Sequence, residues 1–282
     1  AITLVLSPVL LPNGFMAALE QCKHVMGEII LGGAMMSLGL VISLTIMNDL
    51  GLMLATTLSG AVTSIMGIAT SISKEGLPDK PMALVLIVAT AVIFIVAGYI
   101  CSKASQMCAQ DRMAAEGVRQ EKPKSKVTLK VVVWILVDCL LMNGWASGTA
   151  TGTAAGLPPI MTCAFMVTGS ALSVLVLGLV LFTWKKQWKT VLCIGSSKKP
   201  LVMSAISAVC HYGGNVLSIY SMPAISATLS FLFGKTSTIW TYFWGFYYRE
   251  FEGAKKKTMA TLFAGLALYF VGLGLLFFYN FG

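Results

Sequence analysis

Long apolar stretches constrain the fold of this chain more than any other feature of its sequence. Each is about 20 residues long, the length that an α-helix needs to cross the hydrocarbon core of a bilayer. Residues 1–11 are the tail of one such stretch, and complete ones follow at 27–47, 50–72, 82–102, 131–155, 159–184, 201–222, 224–248 and 258–280. Only 11% of the residues are charged, against about 25% in soluble domains. The sequence therefore predicts an all-α membrane protein.

Positive charges are distributed unevenly between the connections. Sixteen of the twenty lysines and arginines lie in 103–130, 185–199 and 249–257, which the alternation of spans places on one face. Multi-pass proteins keep such basic loops in the cytoplasm. We therefore expect these loops to be cytoplasmic, in the plasma membrane or an organelle membrane. The excess of positive charge is explained by the orientation of the chain in the membrane, so nucleic acid is not expected as a partner.

A weak internal repeat appears when the sequence is aligned with itself at an offset of 175 residues. Val41-Ile42-Ser43-Leu44 then falls on Val216-Leu217-Ser218-Ile219, and Lys74-Glu75 falls on Arg249-Glu250. The offset covers five spans, an odd number, so the two copies would have opposite orientations in the bilayer. Inverted repeats of this kind are typical of secondary transporters.

The repeat predicts three parts of the chain. These are a partial first repeat at 1–102, a basic cytoplasmic linker at 103–130 and a second repeat at 131–282. Completing the first repeat would take about 45 residues before Ala1, a helix and a half. The expected fold is a ten-helix bundle of two inverted sets of five.

A lysine occupies the middle of the predicted span 224–248, where a charge is costly and is seldom kept without a use. This residue, Lys235, follows the predicted turn Ser221-Met222-Pro223 that joins its span to the preceding one. Asp138 is its best partner, because it is the only carboxylate well inside a predicted span. Two interpretations remain open: a structural ion pair, or a pair that solute or a proton separates during transport.

Other polar side chains recur at helical spacing beside this pair. The span before Lys235 carries a stripe of Ser204, Ser207, His211, Asn215 and Ser218, which either lines a cavity or packs against a helix. His211 suits proton coupling, because imidazole changes charge near neutral pH, but a packing histidine fits as well. Trp240 lies deep enough to stack on a ring. The predicted substrate site consists of Lys235, Asp138, His211, Asn215, Thr238, Tyr242 and Trp240.

Four glycines, Gly144, Gly148, Gly152 and Gly156, repeat at four-residue intervals. A bare helix face of this kind lets a neighbouring helix approach closely. We expect it to pack tightly rather than to line the site.

The sequence carries no signature of an enzyme or a metal protein. It lacks HExxH and GxSxG, and its seven cysteines show neither CxxC spacing nor a disulfide framework. We expect no catalytic residue, metal or cofactor. The alternatives to a transporter are an intramembrane enzyme using Asp138 and His211, which the inverted repeat disfavours, and a non-transporting scaffold, in which Lys235 would be a needless cost.

The C-terminal region resembles a transporter family. The residues that carry the likeness are Trp244-Gly245, Arg249-Glu250-Phe251, Gly253 and Lys255-Lys256-Lys257-Thr258, with Gly214-Asn215 and Ser37-Leu38-Gly39 earlier in the chain. They are similar to the ureide permease-like, glucose/ribose porter branch of the drug/metabolite transporter superfamily (EamA-like).

The resemblance implies a ten-helix fold with a central cavity and transport of a small polar solute by alternating access, often coupled to protons. Ureides, nucleobases and sugars are the solute classes that it suggests, and a homodimer is compatible with it. The chain departs from plant ureide permeases because 103–130 lacks their GxxxxGK[ST] motif. Lys235 also has no counterpart in those relatives, so the substrate does not carry over.

Overall fold

The computed structural model of the chain describes residues 11, 14–50, 52–76, 81–115, 129–189, 198–225 and 227–281. Throughout this part, the regular structure is helical and contains no strand. The helices are α1 (Phe15–Cys22), α2 (Met26–Leu50), α3 (Leu52–Glu75), α4 (Pro81–Ala115), α5 (Leu129–Met142), α6 (Gly144–Ala154), α7 (Pro159–Trp184), α8 (Lys198–Ile225), α9 (Ala227–Lys235), α10 (Ser237–Tyr247) and α11 (Lys256–Phe281).

Six segments of the described chain are long and apolar enough to cross a bilayer. They are Met26–Ile46, Pro81–Ala115, Lys130–Ala154, Pro159–Trp184, Leu201–Ile225 and Lys256–Phe278. This finding confirms the prediction of an all-α, multi-pass membrane protein. The ten-helix inverted repeat and the division at 102 and 131 stay predictions.

Helix boundaries follow the predicted spans most closely where proline marks them. The span 159–184 coincides with α7, because Pro158 and Pro159 preset the first helical turn. The predicted turn Ser221-Met222-Pro223 is wrong, since α8 continues through all three residues to Ile225. Pro223 has no N–H to donate to the carbonyl of Ile219, so the last turn of α8 has one backbone hydrogen bond fewer.

Two predicted spans are each divided by a single residue. Asn143 separates α5 from α6, and Thr236 separates α9 from α10. Both residues keep right-handed helical dihedral angles. At Thr236 the turn is tightened, because its N–H donates to the carbonyl of Phe233 at 3.0 Å and its own carbonyl accepts from Ile239 at 2.9 Å.

Helix α4 is longer than predicted, and residues 103–115 are helical rather than part of a connector. At 1.5 Å per residue, 35 residues extend about 52 Å, whereas the hydrocarbon core is about 30 Å thick. The end of α4, with Asp111 and Arg112, therefore lies outside the spanning part of the helix. The rest of the predicted linker, 116–128, is outside the described residues.

The chain forms two compact units, and each draws on distant parts of the sequence. Unit 1 contains Ala1–Leu38 and Leu141–Ala227, and unit 2 contains Gly39–Leu140 and Thr228–Gly282. The division passes through α2 and α5, so each of these helices contributes to both units.

Unit 1 is held together by close approach of helix backbones. A Cβ atom built on Gly33 would collide with the carbonyl oxygen of Met166, and one on Gly169 with that of Ile30. The glycine face of α6 packs in the same way, since a Cβ on Gly144 would collide with the carbonyl oxygen of Gly32. A Cβ on Gly148 would likewise collide with the side chain of Met166, and one on Gly152 with that of Thr162. These close contacts confirm the predicted tight packing. Gly156 lies beyond α6 with φ of 65° and ends that helix.

Unit 2 is built on α4 packed along α11. Small or polar residues of α4 are buried along one side at helical spacing: Ala97, Cys101, Ala104, Ser105 and Cys108. Glycines of α11 accommodate side chains of α4, because a Cβ on Gly265 would lie 2.5 Å from Cys101 Sγ and one on Gly272 2.5 Å from Phe94 Cε1. The Phe94 and Tyr269 rings lie 5.5 Å apart across the same interface.

Candidate functional site

Asp138 is the buried carboxylate around which the candidate site is built. It lies in α5, within unit 2, and is 0% exposed. The hydroxyl of Ser43, on α2, donates to its Oδ1 at 2.6 Å. Its Oδ2 is also buried and has no hydrogen-bond partner among the described residues. Within the described part of the chain, one of the two acceptor oxygens of Asp138 is therefore unsatisfied.

The surroundings of Asp138 in unit 2 offer little further polarity. The next residue, Cys139, donates to the carbonyl of Ser59 at 3.6 Å and accepts from the Thr63 hydroxyl at 3.6 Å. Cys139 also belongs to an apolar core with Ile46 and Ile135. The helices α2, α3 and α5 thus bring one carboxyl and a few hydroxyls together within an apolar environment.

An ionised carboxylate in such a place is unfavourable, because one hydroxyl donor replaces the several hydrogen bonds that water provides. A cation or a hydrogen-bond donor at Oδ2 would relieve that cost. This arrangement can therefore bind a donor.

Five of the seven predicted site residues belong to unit 2, on α5, α9 and α10. Lys235 is the last residue of α9 and precedes the tightened turn at Thr236. The side chains of Lys235 and Thr238 lie outside the described part of the structure, so the Asp138–Lys235 pair stays a prediction. The Tyr242 ring is half-buried and lies 6.3 Å from that of Phe251.

Trp240 lies on α10 and is 63% exposed. Its ring is 6.1 Å from that of Phe243, in an edge-to-face arrangement. An indole exposed to this extent has a face available for a lipid or a solute, and stacking of Trp240 on a ring stays a prediction.

His211 and Asn215 lie on α8, in unit 1. His211 is exposed, as is every residue from Leu201 to Cys210 before it, and Asn215 is half-buried. Polar groups of a spanning helix must contact protein or water rather than hydrocarbon. The exposed stripe of α8 is therefore a second polar surface, which stands on a different unit from Asp138.

Sequence reasoning did not identify three residues that matter to the site. Ser43 was noticed only as part of the internal repeat, because a serine in a span carries no sign of the depth or direction of its hydroxyl. Asp111 and Arg112 fell in the predicted linker. The small residues Cys101, Ser105 and Cys108 continue the helical spacing of α4 beyond 102, and this signal predicts the longer helix.

No family model matches the chain, and neither a curated protein nor a solved structure matches it. Among the described residues, no three His, Cys, Asp or Glu side chains are grouped closely enough to hold a metal ion. The fold and site define the class of the protein as a multi-pass, α-helical membrane protein with a buried carboxyl group.

Proposed function

We propose that the chain is a secondary transporter of a small polar solute, such as a ureide, nucleobase or sugar, that works by alternating access. The observation that supports this proposal most directly is the buried, half-satisfied carboxyl of Asp138. A membrane protein seldom keeps such a group without using it. The resemblance to the ureide permease-like branch, based on short motifs near the C-terminus, supports the same class of function.

In this proposal, Lys235 and Asp138 form the polar centre, and the other predicted site residues of unit 2, Thr238, Trp240 and Tyr242, contact the solute. A solute bearing donors would satisfy Oδ2 of Asp138, while its carbonyl or anionic groups would meet the lysine. A proton could take the place of the solute on the carboxyl, which would couple the two fluxes. The basic loops would face the cytoplasm.

Reconstituted vesicles test this proposal directly. A thermal-shift screen of purines, ureides, sugars and amino acids first identifies a ligand, because binding to the folded state raises its melting temperature. Uptake of that ligand should then fall at least tenfold in Lys235→Ala and in Asp138→Asn, which keeps the shape and the acceptor for Ser43. Lys256→Ala is the matched control, because Lys256 is an exposed lysine at the start of α11 and is not a predicted site residue. Wild-type uptake by both site variants would refute the proposal.

A native cysteine tests whether the α8 stripe faces water. Cys210 is exposed next to His211, whereas the other described cysteines are buried. In a Cys193→Ser background, which removes a cysteine outside the described residues, a water-soluble maleimide should label Cys210. Labelling only by a lipid-soluble reagent would exclude a water-filled pathway along α8.

A further inference from the structure

Two adjacent residues near the end of α4 hold the loop that connects α10 to α11. Arg112 donates from Nε to the carbonyl of Glu252 at 3.0 Å and from Nη2 to that of Arg249 at 3.0 Å. The same Nη2 also donates to the carbonyl of Glu250. One guanidinium group thus binds three backbone carbonyls of the loop.

Asp111 binds the other end of the same loop. Its Oδ2 accepts from the backbone N–H of Lys255 at 2.9 Å and from the Thr258 hydroxyl at 2.6 Å. The ammonium of Lys255 lies 3.5 Å from Oδ1. Because α11 begins at Lys256, Asp111 caps the first turn of that helix from another helix.

These contacts satisfy groups that the ends of α10 and α11 would otherwise leave without partners. Helix α10 ends at Tyr247, and the chain turns at Arg249, which has φ of 57°, so the carbonyls of Glu250 and Glu252 have no partner within the helix. The guanidinium supplies several donors in one fixed plane, a geometry that a lysine ammonium lacks. We call Asp111 and Arg112 the α4 clamp.

Aromatic packing makes α10 continuous with the clamped loop. The Phe246 ring lies 5.1 Å from that of Phe251, in the loop, and 5.8 Å from that of Phe263, on α11. Phe251 also contacts Tyr242, which lies one turn before Phe246 in α10. A displacement of the loop would therefore be transmitted to α10 and to the turn at Thr236, beside Lys235.

We propose that Asp111 and Arg112 are positioning residues that fix α10 against α4 and thereby set the depth at which Lys235 is held. The inference rests on the proposed transport function, because depth matters only if Lys235 meets a solute or Asp138. Lys235 and Arg249 are separated by fourteen residues, about 21 Å of helix. The clamp acts from outside the spanning segment on a residue well inside it.

Hydrogen exchange on the full chain in nanodiscs tests the clamp without reference to transport. In Arg112→Ala, amides of 248–255 should exchange at least tenfold faster than in the wild type. Arg112→Lys should resemble Arg112→Ala, because one ammonium cannot bind three carbonyls. Lys256→Ala, which removes a positive charge at the end of the same loop, should exchange as the wild type does.

Arg112→Lys separates the proposal from the simplest alternative, in which Arg112 only orients the chain. Both residues carry the same charge, so an orientation signal predicts that the lysine variant behaves as the wild type. Wild-type exchange in Arg112→Lys or in Arg112→Ala would overturn the proposal.

Uptake kinetics then test the positioning of Lys235. In Arg112→Lys, uptake at low solute concentration should fall at least fivefold through a higher KM, with a melting temperature within a few degrees of the wild type. If the loss of uptake is explained by a lower melting temperature alone, the clamp is only a structural contact, and the proposal that it positions Lys235 is refuted. If wild-type vesicles take up no solute while the exchange results hold, the transport proposal fails and the clamp stands as a contact that fixes α10.

Discussion

The two units use different kinds of contact to bring helices together. In unit 1, glycines leave no side chain between neighbouring helices, so their backbones are in direct contact, as at Gly33 and Met166 or at Gly169 and Ile30. In unit 2, glycines face side chains instead, and polar groups reach between helices at Asp138 and at the α4 clamp. Lipid tails are as apolar as leucine, so membrane helices associate through close packing and hydrogen bonds. Both units use both means, but the shortest glycine contacts are with backbone in unit 1 and with side chains in unit 2.

The difference has a consequence for how each unit tolerates change. A backbone contact cannot be relieved by a rotamer change or by trimming a neighbour, whereas a side-chain contact can. Polar contacts deep in the bilayer have a further property, since removing one partner leaves the other unsatisfied. We therefore expect unit 1 to be intolerant of added volume and unit 2 to be intolerant of lost polarity.

The largest effect is expected for Gly33→Ala. Its Cβ would overlap the carbonyl oxygen of Met166, and we expect a loss of about 3 kcal/mol in the free energy of unfolding. The melting temperature of the purified protein is the measurement, and Met166→Ala should not rescue it, because the overlap is with backbone.

Gly213→Ala is the matched control for this substitution. Gly213 lies on α8 in the same unit, and a Cβ there would meet nothing within 4 Å. Its melting temperature should equal that of the wild type or slightly exceed it. Equal losses in Gly33→Ala and Gly213→Ala would show that helical glycines, rather than the backbone contact, determine the effect.

A loss of polarity should matter most at Ser43. In Ser43→Ala, Oδ1 of the buried Asp138 carboxyl loses its described donor, so that neither oxygen keeps one, at a cost of about 2 kcal/mol. In unit 1, Thr151 donates to Glu28 at 2.9 Å, but Glu28 is exposed. Thr151→Ala should therefore cost about 0.5 kcal/mol. Equal changes in melting temperature for the two variants would contradict the comparison.

The helical, membrane-spanning character of both units could be predicted from the sequence, because lipid forces every spanning backbone into hydrogen-bonded helices. Apolar length then locates the helices, and the glycine face of α6 follows from its spacing. The tightened turn at Thr236 and the break at Asn143 could not be predicted. Both residues keep helical dihedral angles, and the one-residue change in hydrogen bonding depends on packing that no local pattern encodes.

Only part of the candidate site could be predicted from the sequence. Asp138 is conspicuous because a carboxylate inside a span is rare. Its partner Ser43 could not be deduced, since that contact depends on the rotation and depth of two helices 95 residues apart in the chain. The α4 clamp could not be predicted for the opposite reason. Charged residues at the end of a span are common, and the simplest interpretation of such residues is that water solvates them.

The side-chain contact between α4 and α11 should be weaker than the backbone contact and open to rescue. Gly272→Ala would bring its Cβ to 2.5 Å from Phe94 Cε1, and we expect a loss of about 1.5 kcal/mol. Phe94→Leu removes the obstructing ring atoms, so the double variant should be more stable than the sum of the two single losses predicts. A double-mutant cycle of melting temperatures measures this coupling. Strict additivity would show that the side-chain contact does not determine the cost.

The smallest effect is expected at Asp111, and it depends on pH. The Thr258 hydroxyl and the backbone N–H of Lys255, together with the Lys255 ammonium, hold the pKa of the Asp111 carboxyl below its ordinary value. A carboxyl with a lowered pKa in the folded state contributes stability above its ordinary pKa of about 3.9 and loses that contribution as the pH falls through the folded value.

Asp111→Asn should therefore lower the melting temperature by about 2 °C at pH 7. The gap should stay constant down to pH 5 and close below about pH 4. Lys256→Ala should show no such dependence, because it leaves the Asp111 carboxyl and its contacts with Lys255 and Thr258 in place. A gap that closes between pH 7 and pH 5 would mean that a group other than the Asp111 carboxyl controls the loop.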